Sequence, residues 1–163
     1  MNMRHPRHPG WSDFVDALVL DSAKARTMLQ LESSLLEGRG IWGGTPLHFL
    51  ALEGETDAVS LVLSLGADAD PRNDHEETPL LSCVTICTPA QDRVEILKLL
   101  LSHGADPYHV APSQACAWHR ARWCEDPRVK AIFGEFPPPG CVHESCQKEG
   151  RLRSAMEGPP DSA

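Results

Sequence analysis

The sequence predicts an all-α solenoid, a row of short helix pairs stacked side by side and flanked by two tails. Three observations carry that expectation. Thr45-Pro46-Leu47-His48 returns as Thr78-Pro79-Leu80-Leu81, 33 residues on. Gly66-Ala67-Asp68 returns as Gly104-Ala105-Asp106, 38 residues on. Matching leucine-rich runs, 61–65 and 99–103, precede both glycines. Self-similarity at such a period marks stacked supersecondary units, none of which buries its apolar face alone. The five extra residues of the second unit fall between Thr78 and Gly104, and 87–92 is the expected place, because it separates two helical patterns.

Taken in order, residues 12–20 and 22–32 read as two amphipathic helices, with 35–43 as the connector into Thr45. Thr45 is a good N-cap, and Pro46 follows at the first helical position, where a missing N–H costs nothing. Leu47, Leu50 and Ala51 then recur at helical spacing. Gly54 suits the left-handed residue that ends a helix. Thr56 or Asp57 is expected to cap a second helix with the apolar set Ala58, Val59, Leu61, Val62 and Leu65, ended by Gly66. A turn-rich connector, 68–77, leads to Thr78 and the next pair. There Thr88-Pro89 rebuilds a cap for the second helix, whose apolar set is Val94, Ile96, Leu97, Leu100 and Leu101. Twelve residues separate Gly66 from Thr78, and twelve beyond Gly104 stands Cys116. That register predicts a helix from Cys116-Ala117-Trp118-His119 to about Cys124 and a second over 127–133. Arg120, Arg122 and Arg128 make this last pair polar, as an end cap should be. Helices this short depend on their neighbours for stability.

The Thr-Pro-Leu-His start, the Gly-Ala-Asp end and the 33-residue period together resemble the ankyrin repeat. Residues 45–77 match it closely. In 78–110 Leu81 replaces the family's histidine, Cys87 stands where a glycine is usual, and the inner loop is longer. The resemblance runs over 12–134 and implies an all-α, short ankyrin-repeat solenoid: two clear repeats between two degenerate capping repeats, with disordered termini. The expected organisation is a disordered tail over 1–10, an ankyrin-repeat domain over 11–136, and a disordered Pro-rich tail over 137–163, which holds five prolines.

The resemblance also implies a non-catalytic protein–protein interaction module. His48 is expected to bond back to Thr45 and tie repeats together, with Cys116 and His119 repeating that pair. Partners of the family usually dock on the concave face, built from connector tips and first helices. Carried across residue by residue, that face comprises Ile41, Trp42 and Gly44; Asp74, His75 and Glu77; and Pro112, Ser113 and Ala115. The ends of the first helices add Leu52 and Glu53, Thr85 and Ile86, and Trp123 and Cys124. Among these, Ile41, Trp42, Leu52, Glu53, Asp74, His75, Glu77, Thr85, Ile86 and Trp123 are the candidate partner-binding residues. Trp42, Leu52, Ile86 and Trp123 have no core role in this reading, and exposed large apolar groups mark binding patches.

Composition narrows the classes. The formal net charge is −8, which argues against a nucleic-acid or anionic-membrane binder. Residues 11–110 carry 6 basic and 16 acidic side chains, so an electrostatic partner of the body should be basic. No apolar run approaches the roughly 18 residues of a membrane span. Residues 1–10 lack the apolar stretch of a secretory signal, so a cytoplasmic or nuclear monomer is expected. The glycines at 38–44 lack a phosphate-binding setting, no G-x-S-x-G or HExxH element occurs, and no spacing selects a Cys/His pair. Neither an enzyme nor a cofactor is expected. The acidic run Asp68, Asp70, Asp74, Glu76 and Glu77 reads as a solvated finger, since the glycine and final glutamate of a calcium loop are missing. Two competing readings remain. Cys124, Cys141, His143 and Cys146 form a possible zinc set in a regulatory domain, and the tail could recruit a degradation or signalling complex. The preferred reading leaves the six cysteines as free or buried thiols.

Overall fold

The computed structural model describes residues 6–86, 93–112 and 116–136. Eight α-helices are present among them: α1 (Trp11–Leu20), α2 (Ser22–Leu31), α3 (Pro46–Glu53), α4 (Thr56–Ser64), α5 (Pro79–Thr85), α6 (Val94–Ser102), α7 (Ala117–Trp123) and α8 (Pro127–Gly134). Two 3₁₀ turns, Ser33–Glu37 and Ile41–Gly43, lie in the first connector. There is no strand among the described residues. The first helices form one row, α1–α3–α5–α7, and α4, α6 and α8 pack in sequence behind it. One apolar cluster runs through the stack, from Phe14 through Leu47, Leu50, Val62, Leu80, Leu97 and Leu100 to Val129, all fully buried. This is the nearest-neighbour burial that the repeat pattern requires.

The helix starts follow local chemistry, with some corrections. Pro46, Pro79 and Pro127 each stand at a helix start. Thr78 Oγ1 accepts from the Leu81 N–H at 3.2 Å. Asp126 accepts from the Arg128 N–H at 2.9 Å and pairs with its guanidinium, so α8 carries a side-chain cap. For α4, however, the cap position is Glu55 and the helix already includes Thr56 and Asp57. The Thr56 N–H bonds the Gly54 carbonyl, so the turn itself replaces a side-chain cap. Helix α6 has Arg93 at its cap position; Thr88 and Pro89 lie outside the described residues. Gly54 takes φ +87°, which favours glycine, and a Cβ there would push the Arg93 guanidinium aside.

Helix α1 starts at Trp11, one residue earlier than the pattern implied, and Trp11 is core: it is buried and its ring packs against Gly40, where any side chain would collide. Residues of the segment read as an N-terminal tail also touch the domain. The His8 N–H donates to the Arg39 carbonyl at 2.6 Å, and the Arg7 guanidinium stands 5.7 Å from the Trp11 ring centre. Residues 137–163 lie outside the described residues.

Candidate functional site

The connectors are joined to one another by backbone-to-side-chain bonds. The Asp68 N–H donates to Glu37 Oε1 at 2.9 Å, and the Asp106 N–H donates to Asp70 Oδ2 at 3.0 Å. Asp70 is thus a strut between fingers, half-buried, rather than a wholly solvated acid. Burial pushes its carboxyl above the usual range, against the Asp106 N–H bond that favours ionisation.

His48 performs the tying role expected of it. Its Nδ1 accepts from the Thr45 N–H at 3.1 Å. The neutral ring therefore carries its proton on Nε2, which donates to the Glu77 carbonyl at 3.0 Å, in the finger that leads into the next repeat. Burial lowers the imidazole to about 4, so it is neutral at physiological pH. The pair recurs in the last repeat, where Cys116 Sγ and His119 Nδ1 are 3.1 Å apart.

Between α3 and α5 the row opens into a groove of about 310 Å³. Of the candidate partner-binding residues, Ile41, Trp42, Leu52, Glu53, Glu77, Thr85 and Ile86 line it together. Gly44 lies in the same wall. Trp42 is 56% exposed although its ring is large and apolar. Its backbone is left-handed, φ +53°, which is strained for a tryptophan, and its carbonyl accepts from the Asp74 N–H at 2.9 Å. Both charged residues in the lining, Glu53 and Glu77, are acidic. Ser82 Oγ approaches Glu77 Oε2 at 3.4 Å.

Three candidates stand apart from the groove lining. Asp74 is half-buried beside Gly43, and His75 is exposed at the finger tip. Asn73 holds that tip: its Oδ1 accepts from the His75 and Glu77 N–H groups at 2.8 and 3.0 Å. Trp123, 46% exposed, ends α7, the next helix of the row after α5. Pro112 is exposed, and Ser113 and Ala115 lie outside the described residues.

Trp11, Phe49, Asn73 and Ser82 also line the groove and were not selected from the sequence. Phe49 meets the Trp11 ring edge-on, with centres 5.5 Å apart. Its place just after His48, one position off the buried stripe, is a weak signal that could have found it. Of the alternative zinc set, Cys124 is buried at the end of α7, and Cys141, His143 and Cys146 lie outside the described residues. Among the described residues no group of three His, Cys, Asp or Glu side chains is placed to hold a metal.

A stack of helix pairs with Thr-Pro starts, a histidine, His48, tying the first clear start to the following finger, and a groove along the first helices defines an ankyrin-type repeat protein. Residues 10–111 match the family profile of ankyrin repeats in three copies, and the chain belongs to that family. The α7–α8 pair lies beyond the matched residues and repeats their geometry. Ankyrin repeats are generally protein-interaction modules, and the family is typically non-enzymatic. The chain is 31% identical over 88 residues to the serine/threonine-protein kinase VIK of Arabidopsis thaliana, covering 54% of this chain and 19% of that protein. It is 39% identical over 62 residues to the probable E3 ubiquitin-protein ligase XBOS33 of Oryza sativa subsp. japonica, covering 37% of this chain and 12% of that protein. It therefore spans less than a fifth of either relative. No helix among the described residues is long and apolar enough to cross a membrane.

Proposed function

We propose that this chain is a non-catalytic binding module that holds a segment of a partner protein in the groove between α3 and α5. One observation carries the reading: seven of the ten residues selected as a concave face line a single groove, with Trp42 strained and exposed at its edge. A large aromatic ring offers contact area at small rotamer cost, which suits an anchor. The charged lining, Glu53 and Glu77, favours a basic segment. Asp74, His75 and Trp123 would extend the contact along the finger tip and the row of first helices. On this reading the protein needs no cofactor, acts as a monomer, and works in the cytoplasm or nucleus. The adaptor alternative draws support from the likeness to stretches of a kinase and a probable ubiquitin ligase, which would make the groove the targeting half of a larger assembly.

The test is affinity enrichment on the full chain beside Trp42→Ala, with helical content checked by circular dichroism. Trp42→Ala should keep its helices and lose the partner, weakening binding by about 2 kcal/mol or more. A partner held equally by both proteins would place the binding face elsewhere.

A further inference from the structure

The groove is apolar in its walls and acidic in its charges, and the same chain carries a sequence of the opposite character. Residues 148–156 hold Lys148, Arg151 and Arg153, the three basic side chains of 137–163, against one acid, Glu149, for a net charge of +2, with Leu152 between the two arginines and Met156 beyond them. In an extended chain, alternate side chains point to opposite faces. Leu152 and Met156 then share one face, and long arginines flank Leu152 from the other. An apolar plug between two cations matches an apolar groove whose charged residues are Glu53 and Glu77.

The reach is ample. The Phe136 carbonyl accepts from Trp118 Nε1 at 3.2 Å, so the described chain ends against α7. Helix α7 packs on α5, and α5 supplies Ser82 and Thr85 to the groove wall. That end is therefore at least one helix spacing, about 8–10 Å, from the groove edge. Leu152 lies 16 residues beyond Phe136. Such a linker spans roughly 50 Å when extended and about 22 Å on average when flexible. Closure thus requires neither a stretched nor an unusually collapsed linker. Across the groove-bearing body, 11–110, acidic residues outnumber basic ones 16 to 6, so the net +2 segment 148–156 is attracted to it at close range, while 137–163 as a whole, at net −1, is not steered from afar.

We propose that residues 148–156 dock in the α3–α5 groove of their own chain, Leu152 against Trp42 and Leu52 and the arginines against Glu53 and Glu77, so that the tail competes with the partner for the site. This rests on the groove being the binding face proposed above. Intramolecular docking needs little intrinsic affinity, because the short linker supplies an effective concentration in the millimolar range. A partner with a better basic-apolar segment displaces the tail, and the tail screens out weak competitors.

The experiment uses the full chain labelled with 5-fluorotryptophan and observed by fluorine NMR, with the Trp42 signal assigned by its loss in Trp42→Phe. Arg151→Glu/Arg153→Glu should shift the Trp42 signal and raise its solvent isotope effect, while the Trp118 signal stays in place. A synthetic peptide of residues 146–158 added to that variant should return the Trp42 signal to its parent position. Identical Trp42 signals in parent and variant would overturn the proposal, as would a peptide that leaves the variant unchanged. A parent signal that moves with protein concentration would make the occupant a second copy and overturn the intramolecular assignment. The measurement needs no partner. A Trp42 signal indifferent to the tail, together with a partner lost by Trp42→Ala, therefore refutes the tail alone. A tail-dependent signal together with a partner indifferent to Trp42→Ala refutes the partner reading alone.

Discussion

His48 and Leu81 occupy the same position in successive repeats, and both are buried. The leucine contributes packing alone, whereas the imidazole accepts from Thr45 and donates to Glu77, which joins the first-helix start to the finger leading into the next repeat through one ring. That join is neutral-ring chemistry. A proton on Nδ1 would face the Thr45 N–H, and burial already holds the group at about 4. Because the folded value lies below the ordinary one near 6.5, the native state binds its proton later than the unfolded chain. Stability should then be lost as pH falls from about 6.5 to about 4, by roughly 3 kcal/mol. His48→Leu should cost about 1–3 kcal/mol at pH 7 through unpaired backbone groups and should escape that acid loss. Denaturant midpoints of parent and variant should converge between pH 7 and pH 4; parallel curves would show that another group sets the acid limit. Asp70 works in the opposite sense. Burial raises its carboxyl, so ionisation costs stability above the folded value and the cost disappears in acid. Asp70→Asn keeps an acceptor for the Asp106 N–H and removes a charge beside Asp68 and Asp106. It should raise the thermal midpoint at pH 7 and leave it unchanged near pH 3, and a lower midpoint at pH 7 would show that the charge is needed.

At the scale of the element, each helix, at 7–10 residues, is about one to two turns short of independence and stands only by what it buries. Helix α6 shows this most plainly, with Ile96, Leu97 and Leu100 wholly buried against α4, α5 and α8. Leu97→Ala removes a side chain packed from several directions. It should cost about 2–5 kcal/mol, a large share of the stability of so short an array. Thermal melting followed by circular dichroism reads the effect, and a melt identical to the parent's would remove Leu97 from the core. The caps are the finer detail. The Thr-Pro starts were legible because an N-cap and a first-turn proline act within one turn of chain. Glu55 in place of Thr56 at the α4 cap was not, because the Thr56 N–H finds the Gly54 carbonyl and needs no side chain.

Over the whole molecule, charge and groove act together. The body is strongly acidic and the charged groups of the groove lining are two glutamates. A basic partner segment should therefore associate faster at low salt, since oriented charge chiefly raises the association rate. Glu77→Lys should slow association and flatten its salt dependence while the dissociation rate changes little. Stopped-flow binding at two ionic strengths reads both, and an unchanged salt slope would assign the steering to charges away from the groove.

The repeats were determined by the sequence alone. Thr45-Pro46, Thr78-Pro79 and the Gly-Ala-Asp ends act within a few residues, so their spacing reveals helix, turn and period without any tertiary information. Much of the groove followed, because stacking identical units places equivalent positions in one row. Its walls did not. Trp11 and Phe49 reach the groove from different repeats, and the edge contact between their rings, with Trp11 against Gly40, decides that they do. Asp74 and His75 remain outside the lining because buried Asn73 holds the finger tip through two N–H bonds and Asp74 bonds back to Trp42. Which side chain faces a partner and which folds against its neighbour is settled by contacts between residues far apart in the chain. The tertiary structure alone decides those contacts, because burial and hydrogen bonding depend on what the adjacent repeat presents.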